Sequence, residues 1–405
     1  MKQKINSDKL AGISYAVGNQ ELLVNMPNVP ALQNFDTNVI EFLNALSKEL
    51  LKNKEASIYP DVVTFAFWIR KSNIQLLKEK YEEKDPSVFV EGRGMVFHVA
   101  PSNVPVNYAY SLVSGLLSGN ANIIKIPSKN FRQVDLINEA IRKCLVEHEN
   151  IQPYIILVRY GHEANINEAL SEFADARVIW GGDRTISEIR KAPLHARAVE
   201  VNFADRYSLA VIDSNEYLNR ENKQKIASDF YNDTFLTDQN ACTSPRIVIW
   251  LGEKIEEAKE VFWKELHKLV KSKYQFQPIQ AVNKLTSSYL LAASLDSCQK
   301  AEVEDNLIVR MQVNSVTDSI MELKDNSGYF FEYDCKNIQE LRELCNNTKC
   351  QTLSYIGDQR QFLELLRTGI KGIDRIVPVG KTMDFEFIWD GYNILQQLSR
   401  TIRMV

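Results

Sequence analysis

The chain has 405 residues, which is too long for one ordinary core and is typical of two or three packed lobes. Apolar residues make up 45% and charged residues 25% of it, which is the profile of a soluble globular protein. Its net charge of −4 supplies no basic field, so we expect neither nucleic acid nor an anionic membrane surface as a partner.

No apolar stretch approaches the ~20 residues that span a bilayer, and the N-terminus lacks the apolar segment of a signal peptide. The six cysteines form no CxxC pair, which argues against a zinc site or a disulfide framework. We therefore expect a cytoplasmic protein with no membrane span, no bound metal and reduced thiols.

The N-terminal part of the chain has the apolar spacing of helices. Apolar residues recur at intervals of three or four between Val39 and Leu50. Pro60 begins a second helical run, which the pattern continues to about Lys84 before a proline-containing break.

From residue 95 onward, short apolar strands alternate with helices, which predicts a parallel sheet covered on both faces. The predicted strands are Met95–Val99, Ile123–Ile126, Ile155–Val158, Val178–Trp180, Val199–Val201 and Leu209–Ile212. The helices between them are Val106–Ser118, Val134–Val146, Ile166–Phe173 and one that contains Glu188–Lys191. Ligands of such sheets bind beyond the carboxyl ends of the strands.

The same alternation returns in the later part of the chain and predicts a second α/β unit. A helix to about Leu236 and a charged helix to about Lys273 flank a strand at Ile247–Trp250. Strands Leu307–Val313, Leu353–Ile356 and Arg375–Pro378, with helices Ile338–Cys345 and Phe362–Arg367, follow. We therefore predict two parallel-sheet domains, residues 1–213 and 214–390.

Asn103 lies between Pro101 and Pro105, where the first strand of the alternating part leads into a helix. An asparagine held there by two prolines can direct its amide at a carbonyl oxygen, as half of an oxyanion hole. The plainer explanation is that Asn103 caps the helix, and by itself this motif favours the cap.

Lys125 and the pair Gly181-Gly182 each follow a predicted strand. A lysine at a strand end can bind a ribose or phosphate, and glycines before a helix let a pyrophosphate approach its N-terminus. Without further context, a solvated lysine and an ordinary strand–helix turn explain these residues as well, since the GxGxxG fingerprint is absent.

Cys242 lies between a helix and a strand, among small or polar neighbours that leave its sulfur approachable. The alternative is a buried cysteine that acts as a small apolar residue, which suits Cys144 on the apolar face of its helix.

Together, in this order and spacing, these segments resemble the aldehyde dehydrogenase superfamily. Within it, the chain resembles the fatty acyl-CoA reductases of bacterial bioluminescence (LuxC type). The similar stretches are residues 94–107 (GMVFHVAPSNVPVN), 119–122 (GNAN), 180–183 (WGGD), 203–208 (FADRYS), 238–242 (DQNAC), 374–380 (DRIVPVG) and 389–392 (WDGY). The resemblance begins at about residue 60.

The resemblance implies an aldehyde dehydrogenase-like fold and an enzyme that reduces a long-chain fatty acyl thioester to its aldehyde with NADPH. Cys242 takes the acyl group, and Asn103 with the backbone N–H of Cys242 holds the oxyanion. The implied domains are an N-terminal helical and NAD(P)-binding domain (1–213), a catalytic domain (214–390) and a C-terminal oligomerisation segment (391–405).

The cofactor is expected to contact Lys125, Gly181 and Gly182. Relatives often carry a glutamate three residues after the lysine, where this chain has Ser128. Losing that carboxylate removes repulsion against a 2′-phosphate, and Lys129 adds attraction, which favours NADPH over NADH.

Glu200 falls where oxidising relatives have a general base that activates water. A reductase has no use for water at its acyl-enzyme, so a buried glutamate with a structural partner is a comparable explanation. The strand position of His98 favours packing or a hydrogen bond over proton transfer.

The acyl donor is expected to be fatty acyl-CoA or an acyl-protein, with an acyl-protein synthetase as a possible partner, and the protein to be a homo-oligomer. The competing enzymes are glutamyl phosphate reductase and a cofactor-free cysteine acyltransferase or thioesterase. A non-catalytic protein of the same fold is the third alternative.

Overall fold

A computed structural model describes residues 4–161, 163–295, 297–302 and 305–404. Its β-strands are β1 (Ser14–Val17), β2 (Val88–Gly92), β3 (Met95–Val99), β4 (Ala121–Lys125), β5 (Ile155–Arg159), β6 (Ala176–Trp180), β7 (Val199–Phe203), β8 (Tyr207–Asp213), β9 (Pro245–Leu251), β10 (Cys298–Lys300), β11 (Val309–Val313), β12 (Tyr329–Asp334), β13 (Cys350–Ile356), β14 (Arg375–Pro378), β15 (Ile388–Trp389), β16 (Tyr392–Asn393) and β17 (Ser399–Arg403).

The α-helices are α1 (Gln20–Asn25), α2 (Thr37–Lys52), α3 (Pro60–Trp68), α4 (Lys71–Tyr81), α5 (Asn107–Leu117), α6 (Arg132–Glu147), α7 (Ala164–Phe173), α8 (Asp183–Arg190), α9 (Ser214–Asn219), α10 (Lys223–Thr234), α11 (Ile255–Lys273), α12 (Pro278–Ser294), α13 (Arg342–Asn346), α14 (Phe362–Arg367) and α15 (Ile394–Leu398). Short 3-10 helices occupy Ser7–Leu10, Met26–Asn28, Ala56–Ile58, Glu149–Tyr154, Phe235–Thr237, Asp318–Leu323, Ile338–Leu341 and Gln359–Gln361.

The chain divides into two compact units. The first comprises Met1–Ala204 together with Phe387–Val405, and the second comprises Asp205–Glu386. The C-terminal segment therefore belongs to the first unit.

The first unit is built on a six-stranded sheet in the order β1-β5-β4-β3-β6-β7. Its neighbouring strands are parallel, except for the antiparallel edge strand β1. Every residue of β3 and β6 is buried, as expected for strands covered on both faces. The carboxyl ends of β4, β3 and β6 lie side by side, because Lys125 pairs with Val99 and Val99 pairs with Ile179.

The second unit contains a seven-stranded sheet in the order β10-β11-β12-β9-β8-β13-β14, which is parallel except at β10. Alternate residues of its central strands enter different apolar clusters. Leu209 and Val211 belong to one cluster, whereas Ala210 and Ile212 belong to the other. Successive side chains of a strand point to opposite faces, so the sheet has an apolar core on each side.

The C-terminal strand β17 pairs antiparallel with β2, from Ser399 opposite Gly92 to Arg403 opposite Val88. The Arg400 guanidinium forms an ion pair with Glu91 across this two-stranded sheet. In the described part of the chain, no helix combines the length and the apolar character needed to cross a membrane.

The predicted α/β class with two largely parallel sheets is confirmed, but some element boundaries were wrong. The helical run from Pro60 is two helices, because Arg70 between them has an extended backbone (ψ 143°). The predicted helix Ile338–Cys345 is a 3-10 helix followed by α13. Several elements were not predicted, among them the long helix α12 and the strand β12 of the second sheet.

Candidate active site

Asn103 lies in the bend between β3 and α5 and is exposed. The N-cap of α5 is Val106, with no side-chain cap hydrogen bond, so the interpretation of Asn103 as the helix cap is wrong. The residue therefore stands in a polar turn at the carboxyl edge of the sheet, in front of the helix.

Lys125 ends β4 at the same edge and is held against the protein rather than extended into solvent. Its Nζ donates to the carbonyl oxygen of Gly161 at 2.7 Å and lies 4.1 Å from the centre of the Tyr160 ring. Burial lowers the pKa of Lys125. An ammonium has three donors, so this anchored group can also bind a ligand oxygen.

Gly181 and Gly182 connect β6 to α8, again at this edge. The Gly181 amide donates to the carbonyl oxygen of Phe203 at 3.1 Å, and Gly182 is the N-cap of α8 without a side-chain cap. A Cβ added at Gly181 would lie 3.0 Å from the side chain of Thr185. The two glycines therefore leave space in front of the N-terminus of α8, where a phosphate can approach the backbone N–H groups.

Ser128 and Lys129 are exposed in the loop between β4 and α6. The loop is tied to the neighbouring strand β5 because the Nε of Arg159 donates to the carbonyl oxygen of Pro127 at 3.1 Å. Lys129 is therefore presented from an anchored loop beside the end of β4.

Glu200 lies near the start of β7, opposite Arg177 of β6. Asn202 lies level with Val99, the last residue of β3, and Glu200 comes two residues earlier. Its carboxylate accepts hydrogen bonds from Arg177 Nε (2.8 Å), Arg190 Nε (2.7 Å) and Asn202 Nδ2 (2.9 Å). Burial raises the pKa of Glu200, but the hydrogen bonds from Arg190, Asn202 and Arg177 outweigh it and lower the pKa. Such hydrogen bonds are those of a buried glutamate with structural partners, which is the alternative to a general base.

His98 is fully buried between Ser111 Oγ (2.8 Å from Nδ1) and Asn122 Oδ1 (3.0 Å from Nε2). Burial lowers its pKa to about 4, so the imidazole is neutral at pH 7. The expected packing and hydrogen-bonding role of His98 is confirmed.

Cys242 belongs to the second unit, in the turn that precedes β9, and it is half-buried. Its carbonyl oxygen accepts from Ser208 Oγ at 2.8 Å. Asp238 and Gln239, at the start of this turn, have left-handed backbones with φ of 54° and 53°. Two such residues in succession require surrounding contacts to hold them.

The side chain of Gln239 provides some of those contacts. Its Oε1 accepts from the backbone amides of Gly328 (2.7 Å) and Tyr329 (3.1 Å), and its Nε2 donates to the carbonyl oxygen of Pro245 (3.2 Å). The turn that carries Cys242 is therefore fixed to the neighbouring strand β12.

Arg246, a buried residue of β9 that the sequence analysis missed, completes the turn. Its Nη2 donates to the carbonyl oxygen of Gln239 at 2.6 Å, and its Nη1 donates to the carbonyl oxygen of Asp325 (2.7 Å) and to Asn326 Oδ1 (2.6 Å). Burial lowers the pKa of Arg246, while Asp205, Asp325 and Cys242 act in the opposite direction. The signal in the sequence was a single cation in an otherwise apolar strand.

The remaining cysteines lie in less reactive surroundings, and no disulfide joins any of the six. Burial raises the pKa of Cys144 to about 11 and that of Cys335 to about 12, and it also raises the pKa of the half-buried Cys298. Cys345 and Cys350 are completely buried.

The structure thus gathers Asn103, Lys125 and the Gly181-Gly182 turn at one edge of the first sheet. The other residue of the expected chemistry, Cys242, stands in a fixed turn of the second unit. Among the described residues, no group of three or more histidine, cysteine, aspartate or glutamate side chains could hold a metal ion.

Solved structures of similar fold are aldehyde dehydrogenases. A lactaldehyde dehydrogenase matches with a TM-score of 0.66 and 13% identity over 93% of this chain and 87% of its own. A Bacillus halodurans NADP-dependent glyceraldehyde-3-phosphate dehydrogenase, solved with NADP, matches with a TM-score of 0.60 and 14% identity over 91% and 87%. At these identities the likeness establishes the fold.

Curated relatives are named long-chain acyl-protein thioester reductases. The protein of Aliivibrio fischeri is 22% identical over 339 residues, which are 82% of this chain and 68% of the relative. That of Photorhabdus luminescens is 25% identical over 323 residues, 76% of this chain and 62% of the relative. The family model described as acyl-CoA reductase (LuxC) matches residues 72–401. The chain therefore belongs to the acyl-CoA reductase (LuxC) family.

Proposed function

We propose that the protein reduces a long-chain fatty acyl thioester to the fatty aldehyde through an acyl group carried on Cys242. The observation that carries the proposal is the turn at Cys242, which side-chain contacts of Gln239 and Arg246 hold in a left-handed backbone conformation. A half-buried thiol in a turn fixed in this way, with a buried arginine four residues after it, suits a nucleophile.

In the first step, the Cys242 thiolate attacks the thioester carbonyl carbon. A new carbon–sulfur bond forms, the bond to the donor's sulfur breaks, and the leaving thiolate takes a proton from solvent. The amide of Asn103 and the backbone N–H of Cys242 stabilise the negative charge on the oxygen during this exchange. Reduction of the acyl-cysteine would then break its carbon–sulfur bond, release the aldehyde and return the Cys242 thiolate.

A bound nicotinamide cofactor would supply the hydride for this reduction. The residues at the edge of the first sheet fit such a group: Lys125 is anchored with donors to spare, and Gly182 leaves the N-terminus of α8 without a side-chain cap. Lys129, with Ser128 beside it, would bind the 2′-phosphate of such a cofactor, which favours NADPH over NADH.

The first unit accordingly binds the cofactor, and the second supplies the nucleophile. The names of the relatives support an acyl-protein as the donor, with fatty acyl-CoA as the alternative. An acyl-protein synthetase is the partner that we expect to deliver the acyl group. The segment 391–405, which includes β17, makes the contacts of a homo-oligomer. Light scattering at micromolar concentration tests the last point, and a monomeric mass contradicts it.

The direct test of the activity is the consumption of NADPH with a panel of acyl-CoA and acyl-protein thioesters, with the aldehyde measured in parallel. The proposal predicts one aldehyde for each NADPH consumed, and long chains should react faster than short ones. Release of free fatty acid without NADPH consumption would instead support a cysteine thioesterase.

A further inference from the structure

Arg246 is a buried cation, with 6% of its surface exposed, and all of its hydrogen-bond partners are uncharged. All three of its hydrogen bonds go to carbonyl or amide oxygens, and within the described residues no carboxylate lies within 4.0 Å of its guanidinium. Its Nε is buried and also has no hydrogen-bond partner in that part of the chain. Buried charges are normally paired, as Arg177 is with Glu200. Arg246 departs from this rule, because no carboxylate forms an ion pair with it in the described part of the chain.

Three acidic groups act on the Arg246 guanidinium: Asp205, Asp325 and Cys242. Asp205 and Asp325 act on Arg246 from beyond ion-pair distance, and Asp205 is itself paired with Lys324. Cys242 lies four residues before Arg246, in the turn that the guanidinium holds through the carbonyl oxygen of Gln239. A thiolate, once formed there, meets a positive charge already fixed by three hydrogen bonds.

We propose that Arg246 is a positioning residue for the Cys242 thiolate, closing the turn that carries the sulfur and supplying the positive charge that favours its ionised form. The turn is closed because Arg246 donates to the carbonyl oxygen of Gln239, three residues before Cys242. The charge persists at every pH in which the protein is folded, since a guanidinium does not lose its proton in this range. This role rests on the proposed function, but the ionisation of the Cys242 thiol can be measured without an assay of the reductase activity.

The test is the rate of Cys242 alkylation by iodoacetamide between pH 5 and 10, read by mass spectrometry of the peptide that contains Cys242. In this reaction the thiolate sulfur bonds to the reagent's carbon and iodide leaves, so the rate follows the thiolate fraction. Arg246→Gln should move the midpoint upward by about one pH unit or more, with a roughly ten-fold slower reaction at pH 7. Arg246→Lys keeps the charge and should keep the wild-type midpoint.

Arg360→Gln is the matched control, because it removes an exposed arginine of the same unit and should leave the midpoint in place. An unchanged midpoint in folded Arg246→Gln overturns the proposal. Equal shifts in Arg246→Gln and Arg246→Lys also overturn it, since charge would then not be the cause.

If Arg246→Gln does not fold, Asp325→Asn gives the answer from the opposite direction. Removing this half-buried carboxylate strengthens the field of Arg246, so the midpoint should fall, and a midpoint that stays or rises contradicts the proposal. Alkylation needs neither an acyl thioester nor a nicotinamide cofactor. A failed reductase assay with shifted midpoints would therefore reject the activity and retain the role of Arg246.

Discussion

The Nε of Arg177 lies 2.8 Å from the carboxylate of Glu200, the residue opposite it on the neighbouring strand. The same arginine is anchored through Nη1 to Ser171 Oγ (2.9 Å) and to the carbonyl oxygen of Ala192 (2.7 Å). Glu200 is thus bound to a guanidinium that is itself fixed by its surroundings. A carboxylate in this position contributes to folding, and proton transfer would require it to leave these partners.

Glu200→Gln is therefore expected to lower the free energy of unfolding by about 3 kcal/mol, because Arg177 would remain buried without its anion. Urea unfolding measures this loss, and the turnover number per folded molecule should change by less than a factor of three. Glu188→Gln is the control, since the pair of Glu188 with Lys191 is exposed and contributes little to stability. A turnover that falls a hundred-fold with unchanged stability would instead identify Glu200 as a general base.

Asn103→Ala is expected to slow acylation of Cys242 by roughly two to three orders of magnitude, the usual effect of losing one oxyanion donor. Stopped-flow mixing with a long-chain acyl thioester in the absence of cofactor isolates this step. Ser102→Ala, at the neighbouring exposed position, should acylate at the wild-type rate. Equal rates for Asn103→Ala and wild type would remove Asn103 from the oxyanion site.

Lys129→Ala is expected to weaken NADPH binding by about one to two orders of magnitude and to leave NADH binding nearly unchanged. The reason is the loss of one charge-assisted contact to the 2′-phosphate, which is worth ~1.5–3 kcal/mol. Titration calorimetry with both cofactors measures the difference, and Lys52→Ala provides an exposed lysine of the same unit as control. A wild-type protein that binds NADH as tightly as NADPH would contradict the assignment.

His98 is expected to make the protein less stable in mild acid. Its folded pKa of about 4 lies below the ordinary value of 6.5, because burial disfavours the charged ring. Its contribution is therefore complete above pH 6.5 and is lost as the pH falls toward 4, by up to about 1.4 kcal/mol for each pH unit.

His98→Gln removes the titrating ring, so its unfolding free energy should depend less on pH between 7 and 4.5 than that of the wild type. Urea unfolding at several pH values measures both slopes. Identical slopes for His98→Gln and wild type would show that His98 titrates normally.

The sequence predicted the sheets well where burial leaves a simple pattern. β3, α14 and β14 have the predicted bounds. In β3 every residue is buried, and a strand covered on both faces is marked in the sequence by a nearly unbroken apolar run. The helix α12 was missed because it has no charged face: its one charged residue, Lys284, is buried and donates to backbone carbonyls. An amphipathic pattern cannot be recognised in such a helix.

The position of a candidate site residue could be predicted from the sequence where that residue comes at or directly after the end of a strand. Asn103, Lys125 and Gly181 could be assigned to one edge because carboxyl ends of parallel strands share it. The partners of Arg246 could not be predicted, since Gln239, Asp325 and Asn326 come from segments that meet only in the folded chain. The ion pairs of Glu200 depend on tertiary contacts in the same way.

Mass spectrometry of the protein mixed with a long-chain acyl thioester, without cofactor, shows whether Cys242 carries the acyl group. One acyl adduct should form, on the peptide that contains Cys242, and it should disappear as aldehyde when NADPH is added. Cys242→Ala should bind NADPH and fold normally but take up no acyl group and form no aldehyde. An adduct on another cysteine, or aldehyde formation by folded Cys242→Ala, would contradict the account.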